Sequence, residues 1–202
     1  MRKVIFWFDR WLSNQYGIYS VQDAEDCLLR VQITQARHPV GLVDLSLKAG
    51  EPILALHLWN DHLPQLPPDG PDMAWARSVQ RLFIVSLQAV AREMQSDPRL
   101  ADLGAVQGET VLISMTGGDH LIRRLGFVIL PAHNPLGRFG EFWENFYTWG
   151  LMWAYNPVSL RNRHFSSLKR EEMWMAADQF IRRFGSAAEA KSFVERDRIE
   201  AY

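Results

Sequence analysis

From residue 28 the chain alternates between apolar and polar positions. In "LLRVQITQ", Leu29, Val31 and Ile33 take turns with Arg30, Gln32 and Thr34, the period of two that marks a half-buried strand. Residues 40–47 repeat the pattern more briefly. The stretch Lys48–Pro52, centred on Gly50, supplies a turn, and residues 53–59 form a third strand. Three short strands with tight connections predict an antiparallel meander. Ahead of them, residues 3–14 set Val4, Trp7, Phe8 and Trp11 at offsets 0, 3, 4 and 7, one face of an amphipathic helix. Docking on the core is the expected destination of that face, because left in water it would form an apolar patch of several hundred Å². The alternative is a helix lying in a membrane interface, where Trp and basic residues are favoured.

The segment "PQLPPDGPD" (64–72) contains four prolines. They remove backbone donors and hold φ near −65°, so neither helix nor central strand continues through it. Asp72 then caps a helix predicted over 73–96, whose apolar arc of Trp75, Val79, Leu82, Phe83, Leu87, Val90 and Met94 leaves only a narrow strip for Arg77, Arg81, Gln88 and Arg92. Such a wheel belongs to a central, mostly buried helix, and "SDP" at 96–98 ends it. Residues 110–115 predict a buried strand. "TGG" is a turn, Asp119 an N-cap, and "HLIRRLG" a short helix ending at Gly126, where φ > 0 suits glycine alone. A strand follows at 127–132, its direction relative to 110–115 left open by the short link. Helices are predicted over about 137–155 and 168–184, and over 187–200, where Ser186 and Glu189 have capping-box spacing. The class is α+β: a small antiparallel sheet continued by a helix-rich half with a long central helix. The chain reads as a single domain over 1–202, with a β-rich part at about 20–63, the Pro-rich break at 64–72 and a helix-rich part at 73–202.

Composition narrows the function. A length of 202 residues buries a sizeable core without a staple, and Cys27 is the only cysteine, so no internal disulfide forms. The net charge of −1 gives no footprint for nucleic acid. The opening "MRKVIFWFDR" has an apolar run of only five residues, short of a signal sequence, and nothing approaches the ~20 apolar residues of a membrane span. The expected setting is the cytoplasm, with peripheral membrane contact allowed by the N-terminal helix. No cofactor is indicated.

The segment "LALHLWNDHL" (54–63) concentrates candidate chemistry. On a strand, Ile53, Ala55, His57 and Trp59 share a face, and His62, five positions from His57, does not. Zinc ligands favour H-x-H or H-x₃-H, and neither occurs, so no metal site is read here. "HLWND" fits the H-x₃-D core of chloramphenicol-acetyltransferase-like acyltransferases, with His57 as general base, although the glycine that usually follows the aspartate is His62. The plainer reading is a strand-end histidine beside an Asn60-Asp61 turn. "RRLGF" (123–127) has the helix-Gly-Phe-strand step of many N-acetyltransferases without their pyrophosphate loop. "TGGDH" (116–120) has two glycines and no neighbouring cation. Because ligand sites favour strand ends, one expectation is that His57, Asn60, His133 and Asn134 share a cleft, joined by His120, with Asp61 a further binding candidate. The competing account is two unrelated turns in which Asn60 and Asn134 make only local Asx hydrogen bonds.

In "FGEFWENFYTWGLMWAY" (139–155), Phe139, Phe142, Trp143, Phe146, Trp149 and Trp153 share a helical face opposite Glu141, Glu144, Asn145 and Thr148. Burying each ring contributes ~1.5–3 kcal/mol, which favours core packing. A carbohydrate or lipid platform is the alternative, and Glu141 and Glu144 argue against an anionic membrane.

The order of motifs resembles the bacterial YkoP-like family over about residues 4–185. An aromatic N-terminal helix precedes "LLRVQI", "KAGEPI" and "LHLWND". A long helix, "GETVLIS", "IRRLGFVILPAHNP" and an aromatic helix follow. The residues carrying the resemblance most specifically are His57, Leu58, Asn60, Gly108, Thr110, Arg124, Leu125, Gly126, Phe127, Asn134 and Pro135. Trp59 stands where the family tends to a second histidine, which weakens any histidine-pair scheme. The family has no established reaction. Its members occur alone or attached to polysaccharide-deacetylase-like domains, some beside envelope glycosyltransferases. The resemblance therefore implies an accessory or binding role in envelope glycan or glycolipid metabolism, with a glycan, a lipid or a polysaccharide-modifying enzyme as partner. It transfers no catalytic residue, and the deacetylase Asp-Asp and H-x₃-H ligands are missing. The competing expectation is an acyl or acetyl transferase, or a small hydrolase, using His57.

Overall fold

A computed structural model describes residues 2–22, 26–111, 118–132, 134, 136–161, 165 and 168–186. Strands β1 (Leu29–Gln35) and β4 (Pro52–Leu58) pair antiparallel, with Arg30 opposite His57. Between them, Val40–Leu42 (β2) and Leu45–Leu47 (β3) fold as a hairpin where one strand was predicted, since Val43 and Asp44 turn the chain. Helix α1 (Arg2–Gln15) precedes the sheet and α2 (Met73–Ser96) follows it. Asp72 caps α2 as expected, its carboxylate accepting from the Trp75 amide at 2.7 Å. At the other end Asp97 begins a 3-10 turn with Pro98 in its first position.

Three corrections concern the second half. The strand expected at 110–115 is β5 at Ala105–Thr110, and residues 112–117 lie outside the described region. The helix expected over 168–184 is a strand, β7 (Glu171–Ala176), followed by a short helix at Ala177–Phe184. Its "MWMAA" run is buried on both faces, which erases the alternation by which strands are recognised. The sheet is mixed rather than wholly antiparallel, because β4 and β5 run parallel across the long α2 connection. Strand β6 (Val128–Pro131) completes the order β1-β4-β5-β7-β6. Both β5 and β6 are antiparallel to β7, so they run in the same direction with β7 between them. The expected helix over 187–200 falls outside the described residues.

Helix α3 (Asp119–Arg124) leads into Gly126 at φ 92°, the C′ conformation anticipated for that position. Helix α4 is the aromatic Gly137–Tyr155, and α5 is Ala177–Phe184. One face of the sheet, carrying Leu29, Val31, Leu54, Leu56, Val106, Met173 and Met175, packs against α2, α3 and α5 through Leu87, Val90, Ile122 and Phe180. Ser86, fully buried on α2, accepts from the Leu28 amide at 2.7 Å and donates to the Leu82 carbonyl. That pair of bonds fixes where β1 begins against α2. The β2–β3 hairpin covers part of the other face, over Ile53, Ala105, Trp174 and Ala176. The class is α+β, and strands from both sides of segment 64–72 join one sheet.

Helices α1 and α4 lie against each other, with Phe8 edge-on to Tyr147 and Phe6 against Tyr155. Their apolar faces do not enter the core as expected. Val4, Trp7, Phe8 and Trp11 on α1, and Phe139, Phe142, Trp143 and Phe146 on α4, are all exposed. Instead α1 docks through its polar side, where Asp9 and Ser13 are buried. The hairpin and the charged residues described next occupy the sheet surface that an aromatic helix would otherwise have covered.

Candidate functional site on the second sheet face

Alternation along the strands puts Arg30, Gln32, Ala55, His57, Gln107, Glu109, Glu172 and Trp174 on the second face. Beyond the hairpin this face is polar, and each charge is held by a partner. Glu172, 4 % exposed, accepts from Trp174 Nε1 at 2.8 Å and meets His38 Nε2 at 3.0 Å. Glu109 is bridged by Arg170 at 3.4 Å and Arg37 at 3.7 Å. Burial pushes the Glu109 carboxyl upward, Glu144 and Glu172 add to that, and the two arginines pull against it. Arg170 also pairs with Glu144 at 3.3 Å and donates to Thr148 Oγ1 and the Glu144 carbonyl, which ties α4 to the residue preceding β7.

These groups border a cavity of about 250 Å³ lined by Arg37, Glu109, Asn134, Glu144, Asn145 and Arg170, with Glu141 and Lys169 at its wall. His57 is on β4, paired opposite Arg30, and is not one of the lining residues. Its Nε2 meets Gln32 Oε1 at 3.0 Å, and burial, reinforced by Arg30 and Arg37, lowers its pKa to about 4. The ring is therefore neutral at physiological pH and a weak base. Gln32 is its one hydrogen-bond partner among the described residues.

A second polar cluster lies where α1, α4 and β1 meet. Asp9 accepts from the Tyr147 hydroxyl at 2.7 Å and the Tyr155 hydroxyl at 3.3 Å, with Arg30 at 3.8 Å. Burial and the Asp9 carboxylate raise both phenols well above the ordinary tyrosine range. The Arg30 guanidinium also sits 5.8 Å over the Trp59 ring. This cluster binds the α1–α4 pair to the sheet.

The expected cleft is divided. Asn134 lines the cavity, and its Oδ1 also accepts from the Leu136 amide at 2.8 Å, an Asx turn packed against Gly140. Asn60, Asp61 and His62 form a 3-10 turn after β4. Asp61 is exposed and makes no described contact with His57. His62 stacks on Trp59 at 3.8 Å and donates from Nδ1 to the Cys27 carbonyl at 2.8 Å. His120 is exposed on α3, which packs on the opposite face of the sheet. His133 lies outside the described residues. Among the described residues no group of three or more His, Cys, Asp or Glu side chains is placed to hold a metal ion.

Sequence reading missed Arg37, Glu109, Glu144, Asn145 and Arg170. Glu144 and Asn145 were noticed only as the polar side of a helix. Glu109 lay just outside the strand as drawn, and reading 168–184 as a helix hid the link from Arg170 to the sheet. The usable signal was the alternation of Gln107 and Glu109 with Val106 and Gly108.

The model of the YkoP domain matches residues 1–184. The chain belongs to the YkoP family. No curated protein and no solved structure matches it. Several residues that carry the family resemblance have evident structural work. Leu125 and Phe127 are core, Gly126 supplies a positive φ, and Gly108 leaves room for Met173 across β5 and β7. Of these residues Asn134 lines the cavity, while His57 is on β4 with its ring bonded to Gln32.

Proposed function

We propose that the chain is a non-catalytic binding module that takes a hydroxyl-rich ligand, an envelope glycan or the headgroup of a glycolipid, in the cavity on the second sheet face. The observation that carries this reading is the lining. Guanidinium groups of Arg37 and Arg170 alternate with the carboxylates of Glu109 and Glu144 and the amides of Asn134 and Asn145. A sugar hydroxyl is donor and acceptor at once, and such a wall answers both roles. Its charges are paired by Arg170, so the lining is preorganised rather than assembled on binding.

Catalytic use of His57 finds less support. A general base works best with a pKa near the operating pH, and His57 sits at about 4. The test is titration with soluble envelope oligosaccharides, followed by amide chemical shifts. Shifts clustered at Asn134, Asn145 and Arg170 are expected, with binding weakened about tenfold by Arg37→Ala, a loss close to that of one hydrogen bond to a charged group. Arg37 is largely exposed, so that variant keeps its fold. Shifts elsewhere, or none across the panel, refute the proposal.

A further inference from the structure

We infer that the joined aromatic faces of α1 and α4 form a docking surface for an anionic lipid bilayer, with α1 lying in the plane of the interface. The surface is independent of the cavity, which opens on the Glu141–Asn145 side of α4. Eight side chains, Val4, Trp7, Phe8, Trp11, Phe139, Phe142, Trp143 and Phe146, each leave between 41 and 67 % of their surface in solvent. At about 150–250 Å² per ring, they present roughly 800 Å² of apolar area, more than the 300–600 Å² of the largest patch on a typical monomer. The two helices meet through Phe8, which stacks near Trp11 and is edge-on to Tyr147, and on α4 Trp143 contacts Phe139, Phe142 and Phe146.

Charge selects the occupant. Lys3 and Arg10 are exposed on α1 and Arg138 on α4. The only acid of α1, Asp9, is turned inward and engaged by Tyr147, Tyr155 and Arg30. The outward side of α1 is thus cationic and aromatic, the composition of helices that settle at the acyl–headgroup boundary, where tryptophan is enriched. Glu141 and Glu144, which seemed to oppose an anionic surface, line the cavity, and Glu144 is paired with Arg170. A second copy fits less well, since a two-fold contact through this face would bring two surfaces bearing only cations, Lys3, Arg10 and Arg138, together. Among the described residues no helix is long and apolar enough to cross a membrane, so the contact is peripheral.

The experiment is flotation of the full chain with vesicles of phosphatidylcholine alone and of phosphatidylcholine mixed with phosphatidylglycerol. Binding to the mixed vesicles is expected, falling as salt rises, together with a blue shift of tryptophan emission. The double variant Trp7→Ser/Trp143→Ser should reduce bound protein about tenfold or more, and Lys3→Glu/Arg10→Glu should abolish the preference for the anionic lipid. Thermal melts of both variants should match the parent, because all four side chains are exposed. The inference is overturned if the parent stays unbound on both vesicles, if the variants bind as the parent does, or if the face instead mediates a stable dimer in solution. Oligosaccharide binding in the cavity survives Trp7→Ser/Trp143→Ser, so failure of one proposal is distinguishable from failure of the other.

Discussion

Helices α2 and α4 look alike in the sequence and end in opposite environments. Each shows a broad apolar arc over a run longer than most helices. Helix α2 buries Leu82, Ile84, Leu87, Val90 and Met94 against the sheet, whereas α4 leaves four rings in solvent and turns Glu144, Asn145 and Thr148 toward Arg170 and Leu168. The difference lies in the surface each helix meets. Where the helices pack on it, the first sheet face is apolar and accepts a helix by burial. The second carries Arg30, His57, Glu109 and Glu172, so a helix docks there through its polar side. A hydrophobic wheel states how much a helix could bury and not whether an apolar partner exists.

The sharpest test of that contrast is Leu87→Ala. Leu87 has no exposed surface, and truncation should lower stability by about 4 kcal/mol through lost transfer energy and a residual cavity. Urea unfolding measures it. On the second face the expected signature is pH dependence. His57 has a folded pKa of about 4 against about 6.5 unfolded, so the unfolded chain binds more protons between those values. Its stabilisation is complete above the unfolded pKa and is lost as pH falls toward 4, by about 3 kcal/mol. His57→Gln should flatten the profile in that window, and an unchanged slope would refute burial of the neutral ring. Next in size is Tyr147→Phe, which deletes the hydroxyl donating to Asp9. It should destabilise by about 1.5 kcal/mol, the worth of a bond to a charged group, and loosen α1 first, visible as faster amide exchange in residues 2–15. The smallest effect belongs to Trp143→Ser. With Trp143 largely in solvent, it should stay within about 0.5 kcal/mol of the parent; a loss comparable to that of Leu87→Ala would erase the distinction between the helices.

Where local chemistry decides an outcome, the sequence was readable. The cap at Asp72, the stop at Pro98, the positive φ of Gly126 and the alternation of β1 all depend on neighbours within a few residues. The second face depends on pairings between distant segments. Glu109 and Glu172 become neighbours only because β5 and β7 pair, and a strand buried on both sides carries no period to reveal it. The histidines of "LHLWNDHL" drew attention because their type is conspicuous. Of the two, His62 is held by its stacking on Trp59 and its bond to Cys27, and His57 by its bond to Gln32. The arginines and glutamates that line the cavity are common residues, made notable by position alone.

The placement of β7 between β5 and β6 also constrains how the chain is made. Until residues 171–176 emerge, β5 has an unpaired edge and β6 has no described strand beside it. At about 5–20 residues per second of synthesis, several seconds separate β5 from its neighbour. During that interval the nascent chain holds a strand with an open edge, which invites pairing with another molecule. Fragments ending before β7 should consequently accumulate as aggregates, and arrested ribosome-bound chains should turn protease-resistant only once Ala176 has cleared the exit tunnel.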